Sequence, residues 1–257
     1  MINRRLAALG VGLAAALTFG VAGCGGDGND GGNGGGSSPS PKDPAVELRD
    51  AVGKLSETSA KVTMTAGPLT GNGVIDAPNK QGNVKLEVSA GGQKVNVETL
   101  MIGGDMWLKM TGVPNVPTKW MHLDPTKVSP DAGLGMKPGE VDFVGGDKLF
   151  QGISTVERTG EGQYKGTLDL TKATGSSFAD KDTIAALGEK AKSVPFEAKV
   201  DDEGRVTNLM MDLGQVAGQA LKLDATYSDF GTEVKLEAPA AGEVIEAPDE
   251  IYQFLNS

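Results

Sequence analysis

Lys61-Val62-Thr63-Met64-Thr65-Ala66 alternates apolar and polar side chains with a period of two. Successive side chains of a strand point to opposite faces, so this stretch reads as a strand with one buried and one solvated face. The alternation returns in Val84, Leu86 and Val88, in Val95 and Val97, and in Met106, Leu108 and Met110, with Lys, Glu, Asn or Trp between them. Gly71-Asn72-Gly73, the run Ala77 to Gly82, Gly91-Gly92 and Gly103-Gly104 read as the turns that separate these strands. Strands so closely linked pair antiparallel, and one face of the resulting sheet is apolar.

After Met110 the pattern breaks up. Prolines punctuate Gly112 to Pro138, with Lys119 to Leu123 a short strand between loops. The stretch Gly112 to Glu140, which includes Leu134 and Met136, reads either as a flap over a cavity or as an ordinary long loop. Asp147 to Phe150 predicts a helical turn. Ser154 to Arg158 and Gln163 to Leu170 predict two strands joined near Gly160-Glu161-Gly162. Phe178 to Lys192 predicts a helix with Ile184, Leu187 and Ala191 on one face, capped by Asp180 or Asp182 and ended by Pro195. Two hairpins follow. Phe196 to Val200 pairs with Val206 to Leu213, and Leu221 to Tyr227 pairs with Glu233 to Leu236 across Ser228-Asp229-Phe230-Gly231. Pro248 to Leu255 predicts a closing helix.

Towards the N-terminus, Asp43-Pro44 supplies an N-cap and a first-turn proline, and Ala45, Val46, Leu48, Val52 and Leu55 follow at helical spacing. A helix is predicted from Pro44 to about Thr58. Gly25 to Pro41 carries no apolar side chain that could offset the entropy of ordering it. It reads as a tether of about 17 residues, with a reach of roughly 20–25 Å as a random coil. Before it stands Leu17-Thr18-Phe19-Gly20-Val21-Ala22-Gly23-Cys24, preceded by an apolar run and by Arg4-Arg5. This is the pattern of a secretory signal ending in a lipobox, with Cys24 the lipid acceptor. The run from Leu6 to Phe19 is shorter than the ~20 residues a membrane span needs. The chain therefore divides into residues 1–23, a signal peptide exported by general secretion rather than the twin-arginine route; 24–42, the acylated cysteine and tether; and 43–257, one folded domain. The mature protein is expected on the outer face of the cell membrane, held by its N-terminal lipid.

Composition narrows the function. Net charge is -10, and removal of Arg4 and Arg5 takes it to -10 - 2 = -12. Such a chain does not favour nucleic acid or anionic headgroups electrostatically. Cys24 is the only cysteine and His122 the only histidine, so neither a disulfide nor a zinc site is expected. A Ser-His-Asp triad would have to use His122, yet no Gly-x-Ser-x-Gly elbow exists. Asp201-Asp202-Glu203 sits where a hairpin turn is predicted and reads as solvated turn chemistry rather than a calcium site. No enzyme, cofactor or metal is expected. Met64, Met106 and Met110 are flexible apolar side chains of the kind that line adaptable surfaces.

The lipobox, the tether, the helix leading into a meander and the closing Tyr227-Ser228-Asp229-Phe230-Gly231 hairpin ending at Ala238-Pro239 resemble the actinobacterial LppX/LprG-type lipoproteins. That family is distantly similar to the LolA and LolB lipoprotein carriers. The resemblance covers Asp43 to Leu255. It implies a half-barrel sheet capped by helices around a hydrophobic pocket, which binds lipids or acylated glycolipids and moves them across the envelope.

The expected fold class is α+β: a large curved antiparallel sheet of about ten strands, with helices on its concave apolar face around a hydrophobic cavity. The expected lining is Val62, Met64, Val84, Leu86, Val95, Val97, Met106, Leu108, Leu221 and Leu223. The expected partners are the membrane, through acylated Cys24, a lipid or glycolipid ligand, and an envelope transporter, with the chain itself a monomer. The alternative is a non-catalytic envelope scaffold or sensor whose core is filled by its own side chains.

Overall fold

The computed structural model describes residues 42–90, 92–128, 146–173, 181–216 and 219–256. Cys24, the signal and the tether lie outside them, as do 129–140 of the flap-or-loop stretch and 178–180 of the second predicted helix. Residues Pro41–Ser257 form one compact unit.

Helix α1 (Pro44–Gly53) starts as read, with the Asp43 carboxylate accepting from the Ala45 amide at 2.7 Å and Pro44 in the first turn. It tightens into a 3-10 turn over Lys54–Glu57. Five strands follow: β1 (Ser59–Ala66), β2 (Leu69–Asp76), β3 (Gln81–Ala90), β4 (Gln93–Ile102) and β5 (Asp105–Thr111). Next come β6 (Trp120–Leu123), helix α2 (Gly146–Leu149), β7 (Ile153–Gly160) and β8 (Gln163–Leu168). Helix α3 (Lys181–Leu187) precedes β9 (Val194–Val200), β10 (Val206–Val216), β11 (Gln219–Ser228), β12 (Val244–Glu246) and helix α4 (Asp249–Leu255).

Among the described residues twelve strands join one open sheet in the order β12-β6-β5-β4-β3-β2-β1-β11-β10-β9-β8-β7. The fold is α+β, and the sheet is antiparallel except for β12, which runs parallel to β6. Its edges are β12 and β7, so it does not close into a barrel. Two meanders, β1–β6 and β7–β11, meet where β1 pairs with β11 from Lys61↔Ser228 to Ala66↔Leu223.

That seam corrects one reading. Residues 233–236 form no strand, so the hairpin expected across Ser228-Asp229-Phe230-Gly231 does not exist. The free edge of β11 is taken by β1 instead, whose Val62 and Met64 match the inward faces of Tyr227 and Ala225. After Asp229 the chain crosses the ends of the strands, tied by the Ser59 hydroxyl to the Thr232 carbonyl at 2.6 Å and by the Gln81 amide to the Val234 carbonyl at 3.0 Å. It then enters β12, a strand the sequence reading missed.

A second correction concerns Gly71-Asn72-Gly73, which lies in the middle of β2 rather than in a turn. Here glycine serves close packing. A Cβ on Gly71 would meet Met64 and Leu86 side-chain carbons at 2.7 and 2.8 Å, and one on Gly73 would meet the Asn83 carbonyl oxygen at 2.3 Å. The strand was legible after all as Leu69, Gly71, Gly73 and Ile75 at a period of two.

Helix α1 lies against β7 and β10, and α3 against β10. Leu48, Ala51 and Val52 of α1, Leu187 of α3, and Ile251, Tyr252 and Leu255 of α4 join the same apolar core as the strands. Ala191, in the 3-10 turn Gly188–Lys192 that extends α3, is fully buried.

Gly73→Ala is expected to destabilise the fold by about 1–3 kcal/mol, because the obstructing atom is backbone and cannot swing aside. Gly104→Ala, where a Cβ meets nothing within 4 Å, is expected to stay within about 0.5 kcal/mol of the native chain. Urea unfolding of both variants checks this.

Candidate functional site

Residues directly opposite each other across an antiparallel ladder point to the same face. The register therefore decides which predicted residues share a surface. Met64 stands opposite Gly71, Gly71 opposite Leu86, Leu86 opposite Val97, and Val97 opposite Met110. A neighbouring row runs Val62, Gly73, Val84, Thr99, Leu108. A third links Leu223 through Ala66, Leu69 and Val88 to Val95. Leu221 falls two residues from Leu223 on the same side. All ten predicted lining residues thus lie on one face of the sheet.

Burial divides them into two groups. Val62, Met64, Val84, Met106, Leu108 and Leu223 are at most 4 % exposed. They form a floor, together with Met101 and Met121. Leu86, Val95, Val97 and Leu221 are half-buried, as are Leu69 and Val88 beside them. These form a contiguous apolar rim at one end of the sheet, where the β1–β2, β3–β4 and β10–β11 connections lie. The rim is continuous with the core, because Leu69, Leu86, Val97 and Leu221 pack against it.

The opposite face is polar and neutralised by exposed pairs. Lys165 meets Glu157 at 2.9 Å, Lys85 meets Glu98 at 3.2 Å, and Lys222 meets Asp212 at 3.5 Å. Such pairs add little stability. Two shallow grooves, of about 490 and 320 Å³, run between these side chains. Leu86 and Val97 border the smaller one, but neither groove opens onto the buried floor.

One polar cluster fastens α1 over the apolar face. The Glu47 carboxylate accepts from the Arg158 guanidinium and, at 2.9 Å, from the Tyr164 hydroxyl. Arg158 also lies over the Tyr164 ring. The Arg158 guanidinium holds the Glu47 carboxyl below its usual range, against the opposing effect of burial, while burial and the Glu47 carboxylate push the Tyr164 phenol up. Sequence reading missed this cluster, since its members come from α1, β7 and β8.

The residues weighed for chemistry have structural surroundings. His122 lies on the polar face with Nε2 3.0 Å from Asp105 and Nδ1 3.5 Å from Glu246, beside the Trp107 ring. The two carboxylates sit on opposite sides of the ring, so they do not share a metal with it. Among the described residues no three His, Cys, Asp or Glu side chains are grouped to hold a metal ion. Asp201 closes its turn by accepting from the Glu203 and Arg205 amides and from the Arg205 guanidinium. Burial raises its pKa, but those hydrogen bonds outweigh it and hold the carboxyl below its usual range. Among the described residues no helix is long and apolar enough to cross a membrane. No protein-family model and no curated protein matches the chain.

A depressed carboxyl pKa contributes stability above the unfolded value that is lost as pH falls through the folded one. Glu47→Gln is therefore expected to lower the unfolding midpoint at pH 7 and to reduce the loss of stability below about pH 4. Urea titrations from pH 3 to 7 check both effects.

Proposed function

We propose that the chain is a membrane-anchored lipoprotein whose domain binds the acyl chains of a lipid or acylated glycolipid against the apolar face of its sheet and carries them across the cell envelope. One observation carries the reading: the half-buried rim of Leu69, Leu86, Val88, Val95, Val97 and Leu221, continuous with a floor rich in methionine. An acyl chain laid along such a surface gains about 25 cal/mol per Å² buried, before the costs of association. Methionine side chains can re-pack around a chain of varied length. No covalent step is needed. Anchoring rests on the lipobox at Cys24, where two or more acyl chains give stable attachment.

A second reading has its own support. The complete burial of Val62, Met101, Leu108 and Met121 suits a scaffold or sensor whose core is filled by its own side chains.

Charged substitutions at the rim separate the two. Val95→Asp and Leu221→Asp change half-buried positions, and their stability cost is expected to be about 1 kcal/mol. Each is expected to weaken binding of a fluorescent fatty-acyl probe at least tenfold, about 1.4 kcal/mol. Leu108→Ala in the floor is expected to cost about 2–5 kcal/mol of folding stability. Rim variants that bind the probe as the native domain does, or a native domain that takes up none, would contradict the carrier reading and leave the filled core.

A further inference from the structure

Among the described residues the buried polar or charged side chains are Ser59, Asp76, Thr99 and Asp169. Three of them have partners. The Ser59 hydroxyl donates to the Thr232 carbonyl at 2.6 Å, Asp76 accepts from the Asn79 and Gln81 side-chain amides at 2.8 and 2.9 Å, and Asp169 accepts from the Thr171 backbone amide at 3.1 Å. Thr99 is 4 % exposed, and its hydroxyl has no hydrogen-bond partner among the described residues. Buried polar groups are nearly always paired, because a hydroxyl stripped of water and left without a bond is costly. The surroundings sharpen the exception. Thr99 faces the apolar side of the sheet, directly opposite Val84 on β3 and Leu108 on β5. Val97 and Met101 stand two residues away along β4, and Met106 and Met110 flank Leu108 on β5. Valine fills the same space as threonine in such a place and brings no polar atom.

We propose that the Thr99 hydroxyl is the polar anchor of the ligand site, donating a hydrogen bond to the ester carbonyl of an acyl chain that runs outward over Val97. The inference rests on the lipid-binding reading and deepens it, because it names the chemical group by which the ligand is recognised. Position supports it first. Val97 is half-buried and lies about 7 Å from Thr99 along the strand, so rim and anchor are a few methylene groups apart. Adaptability supports it next. Met101, Met106 and Met110 surround the hydroxyl, and their unbranched side chains can re-pack to admit the carbonyl end of a ligand. Charge selects the group. None of the neighbouring side chains named above is ionised, so a carboxylate here is buried without a counter-charge. A neutral ester carbonyl needs only a donor, which the Thr99 hydroxyl supplies.

The test compares two probes on the full chain: a pyrene-labelled fatty-acid methyl ester and the matched alkyl methyl ether, which lacks only the carbonyl. Thr99→Val keeps the shape and removes the hydroxyl, whereas Thr99→Ser keeps the hydroxyl. Comparing the ester-to-ether affinity ratio between chains cancels the difference in probe solubility. That ratio is expected to be about five- to tenfold higher in the native chain and in Thr99→Ser than in Thr99→Val. The urea midpoint of ligand-free Thr99→Val is expected to equal or exceed the native one, because an unpaired buried hydroxyl has gone. An equal ratio in the native chain and Thr99→Val overturns the proposal and leaves acyl binding standing. A ratio that falls as far in Thr99→Ser as in Thr99→Val also overturns it, since packing rather than the hydroxyl then sets the preference. So does a lower urea midpoint in Thr99→Val, which assigns the hydroxyl to a bond within the fold. A native chain that takes up neither probe overturns the lipid-binding reading itself and this inference with it, so the two failures are distinguishable.

Discussion

Strand β1 lies between β2 and β11, and its pairing with β11 from Lys61↔Ser228 to Ala66↔Leu223 is the seam on which the molecule depends. It joins residues more than half the chain apart, so loop closure must precede any gain from the contact. What rewards it is the face it completes. Val62, Met64 and Ala66 align with Tyr227, Ala225 and Leu223, and the apolar rows of the two meanders become continuous. Without that seam each meander would leave its apolar face half covered. The crossing segment beyond Asp229 and the docking of β12 on β6 both follow from where β11 is placed.

The continuous face is unevenly covered. Around β7–β10 it carries α1 and α3, and the Glu47–Arg158–Tyr164 cluster fixes the first of these in place. Around β2–β4 the described side chains pass from fully buried to half-exposed within a few residues, as from Val84 to Leu86 and Val88. Glycines at 71 and 73 let Met64, Leu86 and the β3 backbone close over β2. The floor is therefore dense where the sheet is most central and open where the strands end.

Much of the fold was legible because a half-buried sheet writes its period into the chain. Val62–Ala66, Val84–Val88 and Met106–Met110 each specify a strand and its inner face, and Asp43-Pro44 marks the start of α1. All ten residues predicted to line a cavity fell on one face for the same reason. The sequence was less informative where glycine did two jobs. Gly71 and Gly73 look like a turn, and only the side chains of Met64 and Leu86 reveal why they sit in a strand. Long-range pairing carries no local signal, so the β11–β1 seam was mistaken for a hairpin with residues 233–236. Burial within a face is likewise set by what the helices cover, and periodicity alone does not divide floor from rim.

Native mass spectrometry of the domain from Asp43 onward, purified from an actinobacterial host and followed by organic extraction, tests the central claim most directly. The account predicts a stoichiometric bound lipid or acylated glycolipid, released on extraction to leave the bare protein mass. A clean protein mass with no uptake of added diacyl or triacyl lipid would contradict it and identify the apolar face as a closed core.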